Sequence, residues 1–272
     1  MKKFGLIGHP VAHSLSPALF KAGYDGRYPY ELIETADFEE AYSRFLNEYD
    51  GINVTAPFKE LAYAKADIHS EECLRTGATN LLIKTPEGVK AFNSDYLGVR
   101  MLLSDVLQRV KSVLAPWPQG EGLFSLSAAH RTETALIVGL GGAGKAAAAA
   151  AESLGMNVIR MNRTIRDDQT RPLSDFRECF READIIIYNI PTIIEELKEL
   201  TDNDFTPGKQ IFILEANYRD PSFDRTFIDR MKKANPMAEY IGGKAWLLYQ
   251  ALTGYEIFTG EKPDLEKMST VL

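Results

Sequence analysis

Two hydroxyls stand two residues apart in His13-Ser14-Leu15-Ser16-Pro17. In extended chain such residues point to one side, and Pro17 marks a helix start, where free N–H groups welcome a carboxylate. Read alone, Ser16 is a helix cap and Ser14 a loop hydroxyl. A second stretch, Asn53-Val54-Thr55-Ala56-Pro57-Phe58-Lys59, runs from a strand end into the first turn of a helix. A lysine there opposes the positive end of the helix dipole, a placement that suits a proton donor better than a structural residue; the plainer reading is a surface lysine. A third, Asn93-Ser94-Asp95, closes a strand and opens a helix, and Ser94 or Asp95 could serve as a simple N-cap. Convergence raises these stretches above their separate readings. Ligands of open α/β sheets bind beyond the carboxyl ends of the strands, which is where Ser14, Thr55, Lys59 and Asp95 fall. Gln250 lies in the apolar run Trp246–Leu252. A buried amide left unpaired costs ~1 to 3 kcal/mol, so this one needs a partner in the protein or in a ligand.

Gly139-Leu140-Gly141-Gly142-Ala143-Gly144 follows a strand and opens a helix, the context a GxGxxG dinucleotide site requires. Glycines let the backbone approach a pyrophosphate, whose charge is stabilised at the helix N-terminus. The bland alternative is a tight turn with no ligand. An NAD site places Asp or Glu ~20 residues further on, at the end of the next strand. Here that place holds Asn162-Arg163-Thr164. No carboxylate is offered, and the planar fork of Arg163 suits a ribose 2′-phosphate, which favours NADP. Otherwise Arg163 is a solvated loop residue; Arg166 either assists or is simply exposed.

The elements that must position these groups alternate between short β-branched runs and longer segments of helical period, the pattern of an α/β protein. Strands are expected near Phe4–Gly8, Tyr30–Thr35, Gly51–Thr55, Thr79–Lys84 and Val89–Phe92, with helices starting near Ser16, Asp37 and Pro57. Thr85-Pro86-Glu87-Gly88 reads as a hairpin turn, which makes this first sheet mixed. A helix follows over about Asp95–Val110. Periodicity is then lost across Ser112–Glu133, which collects Pro116, Pro118, Gly120 and Gly122. From Thr134 a doubly wound series begins: strand Ala135–Gly139, helix Gly141–Leu154, then strands Asn157–Met161, Asp184–Asn189 and Gln210–Glu215. The near-uniformly apolar helix around Trp246–Leu252 must be covered on most sides. The expected organisation is an N-terminal mixed α/β substrate domain, residues 1–110, completed by C-terminal helices from 236–272 that pack back on it. A linker or insertion spans 111–133, and a Rossmann-type NADP-binding domain spans 134–235.

The whole-chain balance narrows the function. Apolar residues make up 45% and charged residues 25% of the 272 residues, enough to bury a sizeable core. A net charge of -7 offers no attraction to nucleic acid or anionic membranes. Cys73 and Cys179 are far apart and no histidine stands at ligand spacing, so neither a disulfide framework nor a metal site is suggested. The apolar run after Met1-Lys2-Lys3 is broken by His9 and Pro10, too short for a signal sequence, and no segment reaches membrane-spanning length. A cytoplasmic protein acting on a small molecule, as monomer or homodimer, is expected.

Taken in chain order, the same residues resemble the shikimate dehydrogenase family. That family shows S-x-S-P, N-V-T-x-P-x-K, A-x-N, N-T-D, a glycine-rich turn, N-R-T and a late glutamine helix. This chain has Ser14-Leu15-Ser16-Pro17, Asn53 to Lys59, Ala78-Thr79-Asn80, Asn93-Ser94-Asp95, Gly139 to Gly144, Asn162-Arg163-Thr164 and Gln250. The resemblance implies an NADP-dependent oxidoreductase of aromatic amino-acid and chorismate biosynthesis that interconverts 3-dehydroshikimate and shikimate. It implies Lys59 and Asp95 as the catalytic pair, Ser14 and Ser16 on the substrate carboxylate, and Thr55, Asn80 and Gln250 on its hydroxyls. Tyr218 falls where the family often has a substrate-side tyrosine, though an ordinary packed tyrosine fits equally. Three places depart from the pattern: Tyr96 replaces a glycine, Trp246 a methionine expected near the nicotinamide, and Asn189-Ile190-Pro191-Thr192 lacks the usual following G-M. A quinate or aminoshikimate enzyme and a non-catalytic sensor of the same ligands remain the alternatives.

Overall fold

The computed structural model describes residues 1–113, 132–165 and 167–272. Of the expected linker, residues 114–131 lie outside the described residues, as does Arg166. The described chain forms two compact units, Met1–Val99 with Trp246–Leu272, and Arg100–Ala245.

The first unit opens with β1 (Phe4–Gly8), α1 (Ser16–Gly23), β2 (Tyr30–Glu34), α2 (Phe38–Glu48), β3 (Gly51–Val54) and α3 (Lys59–Lys65). It continues through β4 (Ile68–His69), α4 (Glu71–Thr76), β5 (Leu81–Thr85), β6 (Gly88–Phe92) and the start of α5 (Ser94–Val113). The strands lie in the order β2-β1-β3-β5-β6-β4. β1 pairs parallel with β2 and β3, and β4 with β6, while β5 runs antiparallel to both neighbours, so the sheet is mixed. Strand alternation feeds two cores: Leu82 joins Ile7, Phe45, Ile52 and Val54 on one face, and its neighbour Leu81 joins Phe4, Leu19 and Phe20 on the other. Helix starts differ in how they are made. Asp37 caps α2, accepting from the N–H of Glu39 at 2.9 Å and of Glu40 at 3.2 Å. The N-cap of α1 is Leu15 and that of α3 is Phe58, neither with a side-chain bond, so Ser16 is not a cap and α3 begins at Lys59 rather than at Pro57.

The second unit contains β7 (Thr134–Val138), α6 (Gly142–Ser153), β8 (Asn157–Met161), β9 (Thr170–Arg171), α7 (Phe176–Glu182) and β10 (Ile185–Tyr188). After these come α8 (Glu195–Lys198), β11 (Ile211–Glu215), α9 (Arg225–Ala234) and β12 (Ala238–Ile241). Every pairing is parallel and the order is β12-β11-β10-β7-β8-β9, which is the doubly wound topology. β7, β10 and β11 are buried along their whole length, as continuous apolar runs in a parallel sheet must be.

α10 (Gly243–Thr259) and α11 (Leu265–Ser269) follow, and from Trp246 onward they complete the first unit. Ala251, Tyr255, Phe258 and Met268 pack against Phe4, Phe20 and Tyr24, which accounts for the apolar character of α10. No helix among the described residues is long and apolar enough to cross a membrane.

Candidate active site

In the first unit the chain places β2 and β3 on opposite sides of β1, so the strand order reverses between β1 and β3, and it is beyond the carboxyl ends at such a switch point that open sheets form their ligand crevice. Ser14 and Ser16 follow β1; Thr55 and Lys59 follow β3. Because β5 is antiparallel to β3, its amino end comes to the same edge, where the Asn80 carbonyl accepts from the Val54 N–H at 2.8 Å. β6 turns back once more and delivers Asn93-Ser94-Asp95 there too, the Asn80 N–H donating to the Phe92 carbonyl at 3.3 Å.

The Lys59 ammonium pairs with the Asp95 carboxylate, joining the first residue of α3 to the second of α5. The lysine side chain keeps 23% of its surface exposed and the aspartate 8%. A carboxylate that buried is expensive unless paired, so the lysine satisfies it while staying open to a ligand. Asp95 is free for this because capping falls elsewhere: Asn93 Oδ1 accepts from the Tyr96 N–H at 3.1 Å. Ser94 is held by Asn80, whose Oδ1 accepts from the Ser94 N–H at 2.7 Å and whose Nδ2 donates to Ser94 Oγ at 3.0 Å. Tyr96, replacing a glycine, is buried at 6% exposure.

The two serines meet, but through a turn and not through extended chain. The Ser14 N–H donates to the Val11 carbonyl at 2.9 Å, and Leu15 takes right-handed helical angles. Ser14 Oγ donates to Ser16 Oγ at 3.1 Å and accepts from the Ser16 N–H at 3.2 Å. Behind them, Tyr255 Oη donates to the Ser16 carbonyl at 3.0 Å, and Tyr30 Oη donates to Asn53 Oδ1 at 2.8 Å. Burial pushes the Tyr30 phenol well above its ordinary range, so it stays a neutral donor. Asn53 Nδ2 donates to the Asn80 carbonyl at 3.2 Å, which links the serine end of the crevice to the Asn80 end. Thr55 is half-buried at the tip of β3, its N–H on the Ile7 carbonyl at 3.0 Å.

Gln250 departs from expectation: it is half-buried rather than enclosed. Its backbone lies against α5, since a Cβ added at Gly98 would sit 2.5 Å from the Gln250 nitrogen. Trp246, one turn earlier, is 4% exposed, and its indole N–H donates to the Asp95 carbonyl at 3.2 Å.

In the second unit the order reverses between β7 and β10, where the glycine-rich turn lies. Gly139 has φ of +89°, and its N–H donates to the Met161 carbonyl at 2.8 Å. A Cβ at Gly144 would lie 1.9 Å from the Gly139 carbonyl oxygen, so only glycine permits this approach of helix to strand. Ala146, Ala147, Ala148, Ala150 and Ala151 are buried along α6. Gly141 is different: nothing lies within 4 Å of a Cβ there. α6 has no side-chain cap, so the amides of its first turn, at Gly142, Ala143 and Gly144, are available to an anion. At the end of β8, Asn162 Nδ2 donates to the Thr164 carbonyl at 3.1 Å, and Arg163 and Thr164 are exposed. Tyr218 is half-buried in this second unit beside Asn217, whose Nδ2 donates to the Asp220 carbonyl at 2.6 Å. Burial raises the Tyr218 phenol above its ordinary range. The first unit thus assembles Ser14, Ser16, Thr55, Lys59, Asn80 and Asp95 at one edge, with the backbone of Gln250 against α5, while the glycine turn, Arg163 and Tyr218 belong to the second.

Known protein families match in both halves of the chain. Residues 6–82 match the family described as Shikimate dehydrogenase substrate binding domain, and residues 103–209 match D-isomer specific 2-hydroxyacid dehydrogenase, NAD binding domain. A shikimate dehydrogenase (NADP(+)) of Haloarcula marismortui is 30% identical over 287 aligned residues, covering 99% of this chain and 97% of that protein. The structure of shikimate 5-dehydrogenase from Thermus thermophilus in complex with NADP(H) and shikimate superimposes with a TM-score of 0.73 at 26% identity, covering 100% of this chain and 98% of that one. A quinate dehydrogenase from Corynebacterium glutamicum, in complex with NAD, shares the fold with a TM-score of 0.77 at 18% identity over 99% of this chain and 98% of its own.

Proposed function

Because the chain belongs to the shikimate dehydrogenase family, we propose that it catalyses the reversible NADP-dependent reduction of 3-dehydroshikimate to shikimate, with the substrate held by the first unit and the cofactor by the second. The observation that carries this reading is the Lys59–Asp95 pair, made between two helix starts at the edge where the strand order reverses.

The cofactor supplies the hydride. The second unit fits it chemically: open space at Gly141, uncapped first-turn amides and the glycine-only approach at Gly144 make a cradle for a pyrophosphate. Exposed Arg163 and Thr164 at the end of β8 would take the 2′-phosphate, and Asn162 would hold the turn that carries them. On the substrate side, the hydroxyls of Ser14 and Ser16 take the carboxylate, while Thr55, Asn80 and Gln250 take ring hydroxyls. As negative charge builds on the carbonyl oxygen, the Lys59 ammonium stabilises it and passes a proton to it. Asp95 holds that ammonium in place through their ion pair. The enzyme is assigned to the cytoplasm, in keeping with Cys73 and Cys179, both buried and unpaired.

The deciding assay follows NADPH absorbance after 3-dehydroshikimate is added. Steady loss of absorbance is the expected result, and a flat trace with ligand binding intact would leave a sensor rather than an enzyme. The same assay run with quinate and NAD in the oxidative direction separates the sister activities.

A further inference from the structure

We propose that Trp246 is a positioning residue for the Lys59–Asp95 pair, tying the first turn of α10 to the first turn of α5 and so fixing the residue that aims the lysine. The inference rests on the reading of that pair as the reaction's proton donor and its orienting group. An indole this deeply buried needs an acceptor for its N–H, and the acceptor it takes is the main-chain carbonyl of Asp95 itself, at 3.2 Å. A helical carbonyl has two lone pairs, so it can take the indole in addition to its helix bond. The contact is part of a stripe. Trp246, Gln250 and Gly254 recur every four residues and share one face of α10. Along that face, a Cβ added at Gly98 would lie 2.5 Å from the Gln250 nitrogen, and one at Gly254 would lie 3.0 Å from Ser94 Oγ. The first turns of α5 are therefore gripped from two directions: Asn80 holds Ser94 from the sheet, and Trp246 holds Asp95 from the neighbouring helix. Small residues bring the helices together, and the indole sets how α10 is seated along them.

The test is Trp246→Phe, which keeps a ring and removes the N–H. The expected result is a fall in kcat of about 10-fold, the scale of one lost hydrogen bond, with the NADPH dissociation constant by fluorescence titration unchanged. Asp95→Asn provides the second leg of a double-mutant cycle. Trp246→Phe added to Asp95→Asn should lower kcat no further, because both act through one carboxylate. Fully additive losses would overturn the proposal, as would a weakened NADPH affinity with kcat intact, which would make Trp246 a cofactor contact. An Asp95→Asn enzyme with normal kcat would refute the pair itself, and this inference with it. Should Trp246→Phe fold poorly by thermal unfolding, replacement of Trp246 with benzothienylalanine removes only the N–H from the same bicyclic shape and must reproduce the kcat loss.

Discussion

Lys59 sits at the first position of a short helix and pairs with the mostly buried carboxylate of Asp95. Removing one partner of a buried ion pair costs ~3 to 5 kcal/mol, because the other charge is left uncompensated. Lys59→Ala should therefore do two things: lower kcat by ~100-fold or more, and lower the unfolding midpoint because Asp95 is left alone. NADPH titration should be unaffected; near-normal turnover would take Lys59 out of the mechanism. Arg163→Ala makes the complementary prediction on the cofactor side. NADPH affinity should weaken about 10- to 100-fold, the factor that ~1.5 to 3 kcal/mol of charged hydrogen bonding represents, with NADH affinity steady. Equal loss for both cofactors would show that Arg163 does not read the 2′-phosphate. Single residues of this kind stand out in the sequence because each lies within a few positions of a proline, a glycine or a strand end. Trp246 is legible only as a departure near the nicotinamide, not as a partner of Asp95, and Tyr30 and Tyr255 are not legible as parts of the site. Their bonds to Asp95, Asn53 and Ser16 span 151, 23 and 239 positions, and no local pattern encodes such contacts.

At the scale of elements, the glycine turn between β7 and α6 separates what the fold needs from what a ligand needs. Gly144 is required by the fold, because a methyl there would strike the Gly139 carbonyl oxygen at 1.9 Å. Gly141 has φ of −70°, open to any residue, and empty space where its Cβ would be. Its small size therefore serves whatever approaches from outside. Gly141→Ala should leave the unfolding midpoint unchanged yet weaken NADPH binding, whereas Gly144→Ala should lower both, read by calorimetry and fluorescence titration on the same preparations. A Gly141→Ala protein with full cofactor affinity would move the pyrophosphate away from this turn. The long elements could be read in advance, since β7, β10 and β11 are apolar runs and α2 repeats Phe38, Ala41 and Phe45. Others escaped. β4 and β9 are two residues long, too short for any period, and β12 is mostly half-buried rather than cleanly alternating. α7 carried a usable signal in Phe176, Cys179 and Phe180, at helical spacing within seven residues, and α9 hid behind a largely polar sequence that buries only Met231.

For the whole molecule, the buried titratable groups bound the pH range of the fold. In the second unit Asp204 has no exposed side-chain surface and receives Arg177 through two bonds of 2.9 Å and Arg181 at 2.6 Å. The Arg177 guanidinium in particular holds its carboxyl well below the usual carboxylate range. A lowered folded pKa means that the unfolded chain binds the proton first as pH drops. The stabilisation is complete above the ordinary value of ~3.9 and drains away below it. Buried tyrosines act at the other limit. Tyr24 in the first unit and Tyr188 in the second are both pushed up to about 12 by burial. Their unfolded forms ionise near ~10, so their contribution is whole below that pH and is lost as pH climbs toward the folded value. Calorimetry from pH 2 to 12 should thus show a plateau with two falling limbs, the lower assigned to the second unit and the upper shared by both. Asp204→Asn should lower the plateau, because Arg177 and Arg181 lose their shared anion, and should flatten the acid limb, because the proton-binding group is gone. An Asp204→Asn protein whose acid limb keeps its wild-type slope would mean that other carboxylates set it. The partly exposed ion pairs elsewhere are too strongly screened by water for that to be expected.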